Sequence, residues 1–194
     1  MGGYGTNAIQ FLIHTLFSLY LVAIMLRVLL QVTRADFYNP VSQFLVKVTN
    51  PPLIPLRRLI PGFMGIDLAA IVLMLLIKIV EIFLIVLILG ASIGIVGIIV
   101  LSIAELLRLL INIYFFTILI QVVVSWINPG AYNPALSLLY SINEPLLRRA
   151  RRLIPPISGF DLSPIVVVIL LQLVSMLIIQ PIADLGGGLA LGRF

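Results

Sequence analysis

The sequence contains no cysteine. Disulfide frameworks, thiol chemistry and Cys-based metal sites are excluded, and the redox state of the compartment leaves no trace. Charge is scarce: 10% of the 194 residues are Asp, Glu, Lys or Arg. An average soluble domain carries about 25%, because its surface must be wetted. The lone histidine, His14, cannot build a metal site by itself; it reads as a hydrogen-bonded interior residue. There is no phosphate-binding glycine loop, no plausibly placed Ser/His/Asp set, and no protease or deaminase metal motif. The N-terminus lacks a basic n-region and a small-residue cleavage site, so the first apolar segment is expected to be retained. Met1-Gly2 with Thr6 fits the loose myristoylation pattern, yet a chain with spanning helices gains little from a lipid anchor. No cofactor, no metal and no enzymatic activity are implied.

What is abundant is apolar surface. Hydrophobic residues make up 62% of the chain, and the mean hydropathy is +1.25. Several apolar runs exceed the roughly 20 residues that cross a bilayer. The net charge of +5 comes mostly from two short basic clusters. That pattern points to anionic lipid head groups rather than nucleic acid.

The chain repeats itself. Shifted by 94 positions, residues 20–84 align without a gap on 114–178, with 21 identities in 65 pairs. Tyr38-Asn39-Pro40 meets Tyr132-Asn133-Pro134, and Pro51 meets Pro145. Arg57-Arg58-Leu59-Ile60-Pro61 meets Arg151-Arg152-Leu153-Ile154-Pro155, and Gly65 and Asp67 meet Gly159 and Asp161. Apolar helices match by chance, but these loop residues do not. The two repeats are residues 1–94 and 95–194. Each has a long apolar helix (8–32 and 97–127), a polar segment, and a second apolar helix (67–90 and 161–184). The expected fold class is therefore an all-α membrane protein. Four transmembrane helices form two parallel tandem repeats, with short amphipathic interfacial helices after the first and third.

Eight of the 12 Lys and Arg residues fall in the two polar segments: Arg34, Lys47, Arg57 and Arg58, then Arg148, Arg149, Arg151 and Arg152. The positive-inside rule places both segments in the cytoplasm and both termini on the outer side. Trp126 and Tyr132 read as interfacial anchors. Val41, Phe44, Leu45 and Val48 recur with helical spacing, as do Ala135, Leu138, Leu139 and Ile142. After Pro145, Leu146, Leu147, Ala150, Leu153 and Ile154 form one stripe and four arginines the other. A basic amphipathic helix of this kind lies in the head-group plane, where each cation contributes about 1 kcal/mol. The arginines either fix topology alone or also bind lipid or a partner. Asp67 and Asp161 precede the second helix of each repeat as helix caps, or as ion partners of the basic helix.

These residues resemble the signature of the YggT (YlmG-like) family of integral membrane proteins. The resemblance rests on Pro51, Pro55, Arg57-Arg58, Leu59-Ile60-Pro61, Gly65 and Asp67-Leu68. The second copy supplies Pro145, Arg151-Arg152, Leu153-Ile154-Pro155, Gly159, Asp161-Leu162 and Ser163-Pro164. It covers nearly the whole chain, in the two-copy arrangement of proteobacterial members. The first copy departs with Ala69-Ala70 in place of Ser163-Pro164. The resemblance implies a bacterial inner-membrane location and an association with osmotic-stress tolerance, potassium supply and division-linked gene neighbourhoods. It implies no established enzymatic activity.

Five ionisable residues lie inside the apolar helices: Arg27, Lys78, Glu81, Glu105 and Arg108. A charge at the bilayer centre costs about 2.5–3.5 kcal/mol on insertion scales, so each needs a partner or water. Arg27 is near enough to its helix end to snorkel. Lys78 with Glu81, and Glu105 with Arg108, form a neutral four-charge cluster between neighbouring helices. It is read either as a structural clamp or as the lining of a proton or ion path. Its counterparts in the other repeat are uncharged or His14, which argues against a symmetric charged pore. Gly90 and Gly94 read as a tight connector or, alternatively, a helix-packing face. Gly186-Gly187-Gly188 reads as a flexible tail. Two functions follow. One is a non-enzymatic scaffold or accessory subunit that binds anionic lipid and other membrane proteins, or itself as a homo-oligomer. The other is a small oligomeric channel or transporter component in potassium or proton homeostasis. Loss of function maps to Arg148, Arg149, Arg151 and Arg152 under the first, and to Lys78, Glu81, Glu105 and Arg108 under the second.

Overall fold

In the computed structural model, residues 3–63, 65–90, 94–128, 130, 133–154 and 161–190 are described. Met1, Gly2, Tyr132, Pro155, Gly159 and Arg193 lie outside the described residues. The elements are α1 (Tyr4–Val32), α2 (Pro40–Leu59), α3 (Leu68–Leu89), α4 (Ile95–Ile127), α5 (Pro134–Leu153), α6 (Ser163–Val174), a π-helical turn (Ser175–Ile179) and α7 (Gln180–Ala190). Among the described residues there is no strand; Phe63 and Ile66 form one isolated bridge. Among the described residues, four helical stretches are long and apolar enough to cross a membrane: α1, α3, α4, and the continuous run Ser163–Ala190. Helix α3 is the most apolar, with a mean hydropathy of 3.1. Its 22 residues extend about 33 Å at 1.5 Å per residue, enough for a hydrocarbon layer of about 30 Å.

The duplication is visible in three dimensions. Helices α1, α2 and α3 correspond to α4, α5 and the Ser163–Ala190 run. One core joins Leu21, Ile24 and Leu30 of α1 with Leu45 and Leu53 of α2 and Met74 of α3, and reaches Ile142 of α5. A second cluster of Ile118, Leu147, Ala150 and Val167 holds α4, α5 and α6 together. Asn39 and Asn133, equivalent in the repeat, each cap the helix that follows, accepting from Val41 N and Leu136 N at 2.9 Å. Asn39 also donates to Pro134 O at 2.6 Å and so ties the two repeats.

Helices α2 and α5 are each one 20-residue helix rather than short pieces interrupted at proline. Pro51, Pro52 and Pro55 lie inside α2, although an interior proline costs about 3 kcal/mol. The helix persists because Ser42, Leu45, Thr49 and Leu53, all buried, stay on one face only if the turn is continuous. Pro52 provides no N–H for Val48 O, and the Tyr20 hydroxyl approaches that oxygen at 3.5 Å, a long contact. The inward face differs from the apolar stripe read in the sequence. Val41, Phe44 and Val48 are exposed, and the polar Ser42 and Thr49 turn inward with their hydroxyls satisfied by Asp36 O and Leu45 O.

The C-terminal glycines are not a tail. Gly186, Gly187 and Gly188 continue α7, which packs against the start of α4. A Cβ on Gly97 would stand 2.0 Å from Ala190 N, and one on Gly186 2.6 Å from Leu101 N. Gly94 N donates to Ala190 O at 3.0 Å. Small residues let the two backbones touch, and that contact orders the glycine run. Gly90, with φ +64°, ends α3 in the left-handed conformation and serves the connector. The π turn stands just before Pro181, which has no N–H for the i−4 carbonyl; the wider turn accommodates this.

Gly97→Ala is expected to destabilise by about 1–3 kcal/mol, since the new methyl must push α7 off α4. Gly187→Ala, which meets nothing within 4 Å, is expected to stabilise by about 0.5–1 kcal/mol through helix propensity. Thermal unfolding of both variants in one detergent measures the contrast.

Candidate functional site

Each repeat closes through the same ion pair. Arg57, in the last turn of α2, donates from Nε to Asp67 Oδ2 at 3.0 Å, and its Nη2 approaches the same oxygen. The other carboxylate oxygen of Asp67 accepts from Ala70 N at 3.3 Å and caps α3. In the second repeat, Arg151 Nε donates to Asp161 Oδ2 at 2.8 Å, while Asp161 Oδ1 accepts from Ser163 N at 2.9 Å. Both aspartates thus cap and pair at once, one oxygen for each task. Asp161 stands one residue before the N-cap Leu162. Arg151 also reaches Glu144 Oε2 at 3.1 Å. Burial alone raises the Asp161 carboxyl, but hydrogen bonds from Ser163 and Arg151 outweigh it and hold the group below its usual 3.8. Burial alone lowers the Arg151 guanidinium, but Asp161 and Glu144 outweigh it and raise it. Arg58, Arg149 and Arg152 are exposed and, among the described residues, form no ion pair. Arg148 touches Glu144 at 3.4 Å and is 67% exposed.

Next to these pairs, the first spanning helix of each repeat is pinned to its basic helix by a polar link. Arg27 does not snorkel outward. It is 6% exposed and donates to Thr49 Oγ1 at 2.6 Å. The equivalent residues in the second repeat are Gln121 and Asn143, joined at 2.8 Å, with Thr117 donating to Asn143 at 2.8 Å. The geometry is repeated, but the charge is present only in the first copy.

Deeper along the helices lies the ionisable cluster. Lys78 Nζ is 2.9 Å from Glu81 Oε2, and the two side chains are 6% and 1% exposed. His14 Nδ1 lies 2.8 Å from Glu81 Oε1, but the ring is not the interior residue expected: its side chain is 60% exposed. Glu105 and Arg108 pair at 2.7 Å in a more open position. Arg108 also donates to Gln180, whose amide donates to Asp184, both at 2.7–2.8 Å. His14, Ser18, Lys78, Glu105, Arg108 and Asn112 line one cavity of about 240 Å³. Lys78, Glu105 and Arg108 therefore share one space, Glu81 is not part of its lining, and each pair is closed within its own helix rather than between helices. Among the described residues, no group of three or more His, Asp or Glu side chains is arranged to hold a metal ion.

Comparison with known proteins then bears on identity. The profile of the CCB3/YggT family matches residues 6–88 and, again, 100–182. The chain belongs to the CCB3/YggT family. The family is matched twice in tandem, once in each half of the chain. A Pseudomonas aeruginosa protein of uncharacterized role is 47% identical over 189 residues, covering 96% of this chain and 95% of its own. One from Vibrio alginolyticus is 40% identical over 183 residues, with 91% and 97% covered. The YggT protein of Escherichia coli strain K12 is 37% identical over 173 residues, with 88% of each chain covered. No solved structure matches. Family membership and four apolar helices make this a multi-pass membrane protein.

Two parts of this family member's polar framework escaped the sequence reading. His14 joins the cluster as the second partner of Glu81; its alignment with Arg108 in the repeat was the available signal. The Arg27–Thr49 link was hidden because Thr49 is an ordinary helix residue until α2 is docked on α1. Two outcomes are expected. Lys78→Met alone leaves Glu81 buried with only His14, and breaking a buried pair costs about 3–5 kcal/mol. Lys78→Met with Glu81→Gln should be much less destabilised in thermal unfolding. Separately, the depressed Asp161 carboxyl contributes stability that is complete above about pH 4 and is lost as pH falls through its lowered folded value. Asp161→Asn is expected to be less stable at neutral pH and to lose less on acidification, read from unfolding midpoints between pH 7 and 3.

Proposed function

We propose that the protein is a non-enzymatic scaffold or accessory subunit of the bacterial inner membrane. Its basic helices α2 and α5 lie in the cytoplasmic head-group plane and hold anionic lipid and membrane partners, including further copies of itself. Both termini face the outer side, as the positive-inside rule requires of a chain whose Lys and Arg concentrate in two segments. The observation that carries the reading is the division of labour among the arginines. Arg57 and Arg151 are consumed by Asp67 and Asp161 in closing the repeats. Arg58, Arg149 and Arg152 remain exposed at the same end, with Arg148 only loosely held. Charges without a structural task, beside the exposed Leu59 and Leu153, suit a surface that meets acidic head groups. The role belongs to envelope homeostasis under osmotic stress, as the family resemblance implies.

One observation favours the second reading, a component of an oligomeric ion or proton path. The cavity at Lys78, Glu105 and Arg108 continues by hydrogen bonds to Gln180 and Asp184. The scaffold is preferred because each charge is already neutralised by a partner on its own helix, and four helices without a discontinuous one make a poor stand-alone transporter.

A strain lacking the gene, grown under hyperosmotic stress, separates the two. Arg58, Arg148, Arg149 and Arg152 all changed to Gln should insert at wild-type levels and fail to rescue growth. Lys78→Met, Glu81→Gln, Glu105→Gln and Arg108→Met combined should rescue. The reverse pattern, with membrane levels matched by blot, would transfer the function to the buried cluster.

A further inference from the structure

Arg27 is buried without a counter-charge. A guanidinium has five N–H donors. One meets Thr49 Oγ1, and among the described residues no carboxylate pairs with Arg27. A buried charge left in this state is costly. Its position, five residues before the end of α1, puts it about 7.5 Å below the helix end, at the depth of lipid phosphates in the reading above. Arg27 lines a cavity of about 560 Å³ together with Gln31, Phe37, Val46, Arg57 and Asp67. Arg57 and Asp67 neutralise each other, so the cavity keeps one uncompensated positive charge. A neighbouring cavity of about 750 Å³ shares Phe37 and Val46 and continues past Phe44 and Lys47. Phe37 and Phe44 are 40% and 63% exposed. Arg27 opens beside a groove of mixed lining, with Phe37, Phe44 and Val46 next to Gln43, Lys47 and Asn50, which matches a phosphodiester that carries both acyl chains and a polar head group. The second repeat is an internal control: Gln121 stands in place of Arg27, bonded to Asn143, and no charge there calls for an anion.

We propose that this cavity binds one membrane phospholipid, its phosphodiester against Arg27 and its chains along Phe37, Val46 and Phe44. The proposal rests on the membrane placement of α2 in the preceding reading, not on the surface arginines. The test is native mass spectrometry of the full chain in detergent, titrated with phosphatidylglycerol, with a phosphate-free glucosyl diacylglycerol of the same chains, and with inorganic phosphate. Wild type should retain one phosphatidylglycerol at least about tenfold better than the glycolipid, as loss of a charge-assisted hydrogen bond implies. Millimolar phosphate should not displace it. Arg27→Gln, which installs the side chain of the second repeat, should lose that preference. The variant with Arg58, Arg148, Arg149 and Arg152 changed to Gln should keep it. Equal retention of both lipids by wild type overturns the proposal, and does so even if Arg27→Gln fails to fold. Unchanged retention in a folded Arg27→Gln also overturns it. Displacement by phosphate makes this a free-anion site and removes the lipid. Retention lost only in the four-arginine variant moves lipid binding to the surface, which sinks this site while leaving the scaffold reading intact.

Discussion

A carboxylate at the foot of a spanning helix has two oxygens, and in each repeat both are used. One satisfies an N–H group that the first helical turn leaves free, in a place where the positive end of the helix dipole favours an anion. The other grips the arginine at the end of the preceding basic helix. Asp67 with Arg57, and Asp161 with Arg151, thereby set how far the basic helix stands from the span that follows it. The remaining framework is arranged around that junction. The polar links Arg27–Thr49 and Gln121–Asn143 dock the same basic helices on the preceding spans. Each repeat is thus a closed triangle of two spans and one basic helix, pinned by polar contacts on two sides.

The two triangles have the same outline and different charge. The first holds Arg27, His14, Lys78 and Glu81; the matching positions in the second are Gln121, Arg108, Gln172 and Ser175. Duplication preserves shape because packing volume and hydrogen-bond partners must be kept in every copy. Charge in hydrocarbon is tolerated only where a partner is within reach, so it is free to diverge wherever a neutral pair fills the same space. Gln121 with Asn143 shows this: the neutral pair holds α4 and α5 where Arg27 and Thr49 hold α1 and α2. Charges retained against that cost are where function is to be sought, either as a clamp between helices or as a point of contact with something outside the chain.

The sequence by itself determined the class, the number of spans, the repeat, and the helix ends marked by Asp67 and Asp161. These follow from local rules: apolar run length, side chains that cap their own helix, and identities at a fixed shift. It also paired Lys78 with Glu81 and Glu105 with Arg108, because three-residue spacing puts side chains on one face. Only the tertiary structure decided the rest. Whether Gly186-Gly187-Gly188 is helix or tail depends on α4 lying close enough to touch it. Whether Arg27 snorkels or is buried depends on Thr49, 22 residues away, being carried over it by α2. Which face of α2 turns inward depends on what α1 offers it: Thr49 faces in to meet Arg27, with its own hydroxyl proton satisfied by Leu45 O. Contacts between distant segments are not periodic in the sequence, and a side chain that is ordinary in its own helix acquires its role from the surface it is laid against.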